Sequence, residues 1–131
     1  MIQLDTSFLI RALVRGSPED ALLRGWLRDR TPLGMSTIAW TEFLCGPLRA
    51  ADIELATRVI GEVLPFGADD AVVAAELFNR SGRRRGSLVD CMVASVALGR
   101  ESPLATANPA DFRRLEASGL KVLAAKRTPG L

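Results

Sequence analysis

Three acids interrupt otherwise apolar runs of this chain. Asp5 follows Ile2 to Leu4, Glu42 lies inside IAWTEFLCG, and Asp90 lies inside SLVDCMVASVAL. Asp and Glu are seldom buried unless paired or bound to a metal, because a lone buried carboxylate loses its hydration and its pKa rises instead. Each acid also has a local explanation. Asp5 can cap the helix it precedes, Glu42 can lie on the polar side of a short helix, and Ser87-x-x-Asp90 matches a capping box. Taken together they fit another role, a shared cluster that is stable at neutral pH only when a proton or a divalent cation neutralises it.

Composition narrows the chemistry further. The chain has no His and no Tyr, which excludes Ser-His and Cys-His nucleophilic sites, imidazole acid/base pairs, His-ligated zinc and tyrosyl nucleophiles. Cys45 and Cys91 lie far apart without a CxxC spacing and read as small buried hydrophobes in a reducing compartment. Oxygen is then the available ligand atom, and oxygen ligands select a hard ion such as Mg²⁺ or Mn²⁺.

The elements that must position these acids are short. Ile2 to Leu4, Leu33 to Met35, Val63 to Phe66, Pro103 to Ala105 and Lys121 to Leu123 read as strands. Between them the pattern is helical: from Asp5, Thr6 and Ser7 to about Arg15, then from about Glu19 to Arg30 with Leu22, Leu23, Trp26 and Leu27 on one face. Further helices run through Trp40 and Phe43 to near Gly46, from Ala51 to Glu62, Asp69 to Arg80, Ser87 to about Leu98, and Pro109 to Leu115. Such alternation predicts an α/β sandwich with a mostly parallel central sheet, since parallel neighbours need helical crossovers that cover both faces. Ligands of such sheets collect at the carboxyl ends of the strands. Asp5 follows the first strand, Glu42 sits one helical turn beyond the second, and Asp90 opens the helix that leads to the fourth, so all three can point at one sheet edge.

A length of 131 residues suits one domain, and 48% hydrophobic with 24% charged residues is the balance of an ordinary globular chain. No apolar stretch approaches a membrane span, and the start MIQLDTSFLIR lacks a cationic signal-peptide opening, so a cytoplasmic protein is expected. The net charge of +2 matters only where basic groups gather. Of the 17 basic residues only Lys121 and Lys126 are lysine, and Arg80, Arg83, Arg84 and Arg85 crowd together, the last three just before the helix of Asp90. Arginine forks phosphate at two points, so this stretch can meet RNA or a protein partner, or stay a solvated helix end. Trp26 and Trp40 lie on apolar helical faces and read as core rather than as stacking platforms.

The motifs LDTSFLI, TEFLCG, LVDCMVASVAL and LATANPADFRRL, in this order over nearly the whole chain, resemble the PIN-domain nucleases. The resemblance is greatest to the VapC-like ribonuclease toxins of bacterial type II toxin–antitoxin pairs. It implies a PIN-like three-layer α/β/α sandwich in which Asp5, Glu42 and Asp90 hold Mg²⁺ or Mn²⁺ and RNA is hydrolysed. It also implies a homodimer silenced by a small cognate antitoxin. Asp5 and Asp90 match the principal ligands, and Glu42 a further ligand or the base that orients the attacking water. Thr6, Ser7 and Thr106 are candidate donors that fix the carboxylates, or are only caps.

One departure bears on the site. Family members carry a fourth acid in a T-x-D or T-x-N-x-x-D-F context, and here Thr106 and Ala107 lead to Asn108, then Asp111 and Phe112. Asn108 and Asp111 are both candidates for that place, the first without charge and the second also suited to the start of a short helix. Two other readings stay open: a non-catalytic α/β module binding RNA or protein, with the acids as caps, and a metal-dependent small-molecule phosphatase. The phosphatase pattern usually has a second Asp two residues after the first, where this chain has Ser7.

Overall fold

Five short strands, β1 (Ile2–Leu4), β2 (Leu33–Ser36), β3 (Glu62–Leu64), β4 (Leu104–Ala105) and β5 (Val122–Leu123), form one sheet in the order β3-β2-β1-β4-β5. Every pairing is parallel, with Gln3 opposite both Gly34 and Leu104, in the computed structural model, which describes residues 1–126. The helices are α1 (Thr6–Ala12), α2 (Pro18–Arg28), α3 (Thr37–Leu44), α4 (Ala50–Val59), α5 (Ala68–Arg80), α6 (Leu88–Gly99) and α7 (Pro109–Phe112), followed by a 3-10 turn at Arg113–Ser118. The crossovers from β1 to β2 to β3 step one way across the sheet, and those from β3 to β4 to β5 step back. Right-handed connections place these two groups of helices on opposite faces, which is the expected α/β/α layering.

Local chemistry sets most boundaries. Ser17 caps α2 by accepting the Asp20 N–H at 3.0 Å, with Pro18 in the first turn where no N–H is needed. Ser36 caps α3 by accepting the Ala39 N–H at 3.1 Å. The middle strands are buried because both faces are covered: Leu4, Met35 and Leu104 have no exposed surface. Gly34 permits this crowding, since a Cβ there would lie 2.8 Å from Met1 Sδ and 3.3 Å from the Glu62 carbonyl. Trp26 stacks on Phe8 with ring centres 5.3 Å apart, and Trp40 on Phe43 at 5.5 Å, so both tryptophans pack against the core.

Several expectations need correction. The helix expected to run to Glu62 stops at Val59, and β3 begins at Glu62 and ends at Leu64, because Pro65 brings no N–H to extend the ladder. The first helix ends at Ala12 rather than Arg15. Leu27 is 43% exposed rather than on the buried face of α2. The helix expected from Pro109 to Leu115 divides into α7 and the 3-10 turn. Cys91 is buried as expected but Cys45 is exposed, and both are free thiols. No described helix is long and apolar enough to cross a membrane.

Candidate functional site

Strand β1 is where the sheet order turns, since the chain leaves it toward β2 on one side and returns to its other side as β4. Such a switch point opens a crevice at the carboxyl ends of the strands. Asp5 stands at that end of β1, and Thr106 at the end of β4.

Asp5 is 7% exposed and occupies the N-cap position of α1, yet its carboxylate makes no cap hydrogen bond. Its Oδ2 instead accepts from Ser7 Oγ at 2.7 Å and from Thr106 Oγ1 at 2.9 Å. Each hydroxyl has one proton, and each also accepts a backbone N–H: Ala107 donates to Ser7 Oγ and Asn108 to Thr106 Oγ1, both at 3.0 Å. The two hydroxyls therefore lock one oxygen of Asp5, while Oδ1 accepts no hydrogen bond among the described residues. The cap explanation of Asp5 fails, and Ser7 and Thr106 are the orienting donors the sequence suggested.

Asp90, in the first turn of α6, has no cap role either. The Ser87 hydroxyl is committed to the Arg84 carbonyl at 2.7 Å, so the capping box does not form, and no hydrogen bond reaches the Asp90 carboxylate among the described residues. Burial, then the charges of Asp5, Asp111 and Glu42, push this carboxyl up to about 6, with Arg114 opposing. Glu42 is exposed on α3. Partial burial of its carboxyl and the charge of Asp5 raise its pKa, while the Thr6 hydroxyl opposes. The Thr6 hydroxyl, whose main bond is to the Ala39 carbonyl at 2.8 Å, lies 3.4 Å from Glu42 Oε1.

The candidates for the fourth place separate. Asp111 lines a polar cleft of about 180 Å³ together with Asp90. Asn108 lines a neighbouring hollow with Ser7, Ile10 and Arg11, and its contribution near Asp5 is its backbone N–H to Thr106. Of the basic stretch, Arg84 and Arg85 face the cleft of Asp90, whereas Arg83 is turned back, its Nε donating to Asn79 Oδ1 at 2.9 Å. Arg114, which the sequence did not single out, joins the same cleft.

The four carboxylates thus share one electrostatic neighbourhood, in which Arg114 partly offsets their repulsion of Asp90. The donors are all oxygen and their mutual repulsion is of the kind a divalent cation relieves, so charge and ligand type fit Mg²⁺ or Mn²⁺. As their side chains stand, no three acids or thiols among the described residues enclose a common metal position.

Comparison with known proteins agrees with this architecture. The chain superposes on a toxin–antitoxin complex from Klebsiella pneumoniae with a TM-score of 0.75 at 20% identity, covering 98% of this chain and 100% of that one. VapBC2 from Rickettsia felis, bound to a DNA fragment from its promoter, gives 0.75 at 18% identity, covering 96% and 100%. FitAcB from Neisseria gonorrhoeae gives 0.72 at 18% identity, covering 94% and 96%. These likenesses are of fold. No curated protein matches the sequence. The family model of the PIN domain matches residues 2–117, and the chain belongs to that family.

Proposed function

We propose that this PIN-domain chain is a divalent-metal-dependent endoribonuclease acting as the toxin of a toxin–antitoxin pair. The observation that carries the reading is the coupling of Asp5, Glu42, Asp90 and Asp111 at the switch point of the sheet, uncompensated by cap hydrogen bonds. Structures of toxin–antitoxin complexes with the same fold support the toxin role. The reading includes a cytoplasmic homodimer held in check by a small antitoxin.

Asp5 and Asp90 would be the principal ligands of Mg²⁺ or Mn²⁺, with Glu42 and Asp111 completing the charge. Such an ion, when bound, activates water and neutralises charge developing on the phosphate. Ser7 and Thr106 hold Asp5 through Oδ2, which leaves Oδ1 without a hydrogen bond among the described residues to ligate an ion. Glu42, tethered only loosely through Thr6, is suited to accept a proton from the attacking water.

Calorimetric titration with Mn²⁺, run beside an RNA cleavage assay, tests the proposal. Micromolar binding by the native chain should vanish in Asp5→Asn, with cleavage falling by about two orders of magnitude or more. Metal-independent cleavage, or full activity in Asp5→Asn, would dispose of it.

A further inference from the structure

The cleft beside Asp90 has more positive charge than the acids account for. Arg84, Arg85 and Arg114 all line it, together with Gly86, Ser87, Asp90 and Asp111. None of the three guanidinium groups makes an ion pair or a side-chain hydrogen bond among the described residues, although two carboxylates line the same cleft. Arg114, which lines the cleft, has an Nε with no hydrogen-bond partner among the described residues, so its guanidinium is left with an unsatisfied donor. The amino end of α6 opens on the same place. Its N-cap Ser87 donates to the Arg84 carbonyl instead of accepting from the helix, which leaves the positive end of the dipole uncapped.

The turn before α6 builds this arrangement. Gly82, Arg83 and Gly86 take positive φ values of 91°, 52° and 82°, and the Arg83 N–H is fixed to the Phe78 carbonyl at 2.9 Å. The Arg83 side chain lies against Asn79, whereas Arg84 and Arg85 line the cleft.

We propose that Arg84, Arg85, Arg114 and the amino end of α6 form a cradle for one backbone phosphate of the RNA strand, adjacent to the phosphate that is cleaved. The assignment rests on the ribonuclease reading and names how that site holds its substrate. A volume of about 180 Å³ has room for a phosphate group and its waters but not for a folded segment. Guanidinium forks match phosphate oxygens in geometry as well as charge. The cradle positions the strand, while the carboxylates act on the neighbouring phosphodiester.

The test is binding of a fluorescein-labelled single-stranded RNA oligonucleotide in EDTA, followed by anisotropy over a range of NaCl, beside Mn²⁺-dependent cleavage of the same RNA. Arg114→Gln and the double variant Arg84→Gln/Arg85→Gln should each bind several-fold more weakly. The slope of log K against log salt should flatten by about 0.7 for each arginine lost. KM should rise with kcat little changed, and in the double variant Mn²⁺ binding should be unaltered. Arg83→Gln should behave as the native chain. Arg114→Lys, which keeps the charge if the Gln variant folds poorly, should retain the slope but lose affinity. Unchanged affinity and slope in folded Arg114→Gln and in the double variant would overturn the cradle while leaving the ribonuclease reading intact. RNA binding with the expected slopes but no metal-dependent cleavage would support the cradle and remove that reading. No RNA binding by the native chain would overturn the cradle outright.

Discussion

Replacing Asp90 by Asn should make the metal-free protein more stable, and the gain should depend on pH in a defined direction. The Asp90 carboxyl ordinarily titrates near 3.8 and stands at about 6 in the folded chain, where burial and the charges of Asp5, Asp111 and Glu42 disfavour its ionised form. Between these values the folded state binds more protons than the unfolded one, so stability falls as pH rises through the window. Full ionisation would cost at most about 3 kcal/mol, and solvent around this half-buried group leaves roughly 1–2 kcal/mol of that. Asn keeps the shape and removes the charge. In EDTA at pH 7.5 its Tm should therefore exceed that of the native chain by roughly 4–8 °C, at about 4 °C per kcal/mol for a chain of this size. The difference should shrink to nothing as pH falls below the ordinary carboxylate range, where both side chains are neutral. Mn²⁺ should reverse the order by stabilising the native chain and leaving Asp90→Asn unmoved. Scanning calorimetry from pH 4 to 8, with and without Mn²⁺, decides the matter. A variant that melts below the native chain in EDTA at pH 7.5, or a difference that does not change with pH, would refute the electrostatic account of the cluster.

Two further substitutions probe the same centre. Asp111→Asn should harm cleavage at low Mn²⁺ more than Asn108→Ala, because Asp111 shares the cleft of Asp90 while Asn108 contributes its backbone N–H; equal, small effects on cleavage rates would show that the other three acids suffice. Thr106→Val removes a fully buried hydroxyl that holds Asp5 and accepts the Asn108 N–H, and should cost about 1–3 kcal/mol together with most of the activity. Urea melts of Thr106→Val beside those of Thr106→Ser, which restores the hydroxyl, check whether that bond is responsible.

Much of the arrangement was legible in the residues because it rests on local signals. The short run Ile2–Leu4 followed by Asp5 marks a strand and its carboxyl end, and the Ser36 cap marks the turn from β2 into α3. The boundaries that shifted did so for reasons of competition. Helical composition carried the reading of α4 past Ile60, but pairing of Glu62 with Gly34 and the missing N–H of Pro65 decided β3. The Ser87-x-x-Asp90 spacing is that of a capping box, yet the hydroxyl is taken by Arg84 in the preceding turn, a choice that spacing does not encode. Arg114 escaped notice because an arginine in DFRRL looks like any exposed helical cation. Its place beside Asp90 in one cleft depends on how the 3-10 turn meets the start of α6, which lies far from it in sequence.

The bond between Thr106 and Asp5 joins residues 101 positions apart, and Gln3, fully buried in β1, donates to the Val96 carbonyl of α6 across 93. Contacts of such range close late in folding, after the local helices have formed. Because β4 pairs with β1 in the middle of the sheet, the last third of the chain must return to its beginning before the crevice has two walls. A polypeptide cut short before Leu104 would carry Asp5, Glu42 and Asp90 but neither the strand nor the hydroxyl that fixes the first of them. Synthesis therefore delivers the acids before the strand and the hydroxyl that fix Asp5, and the crevice gains its second wall only once β4 has been made.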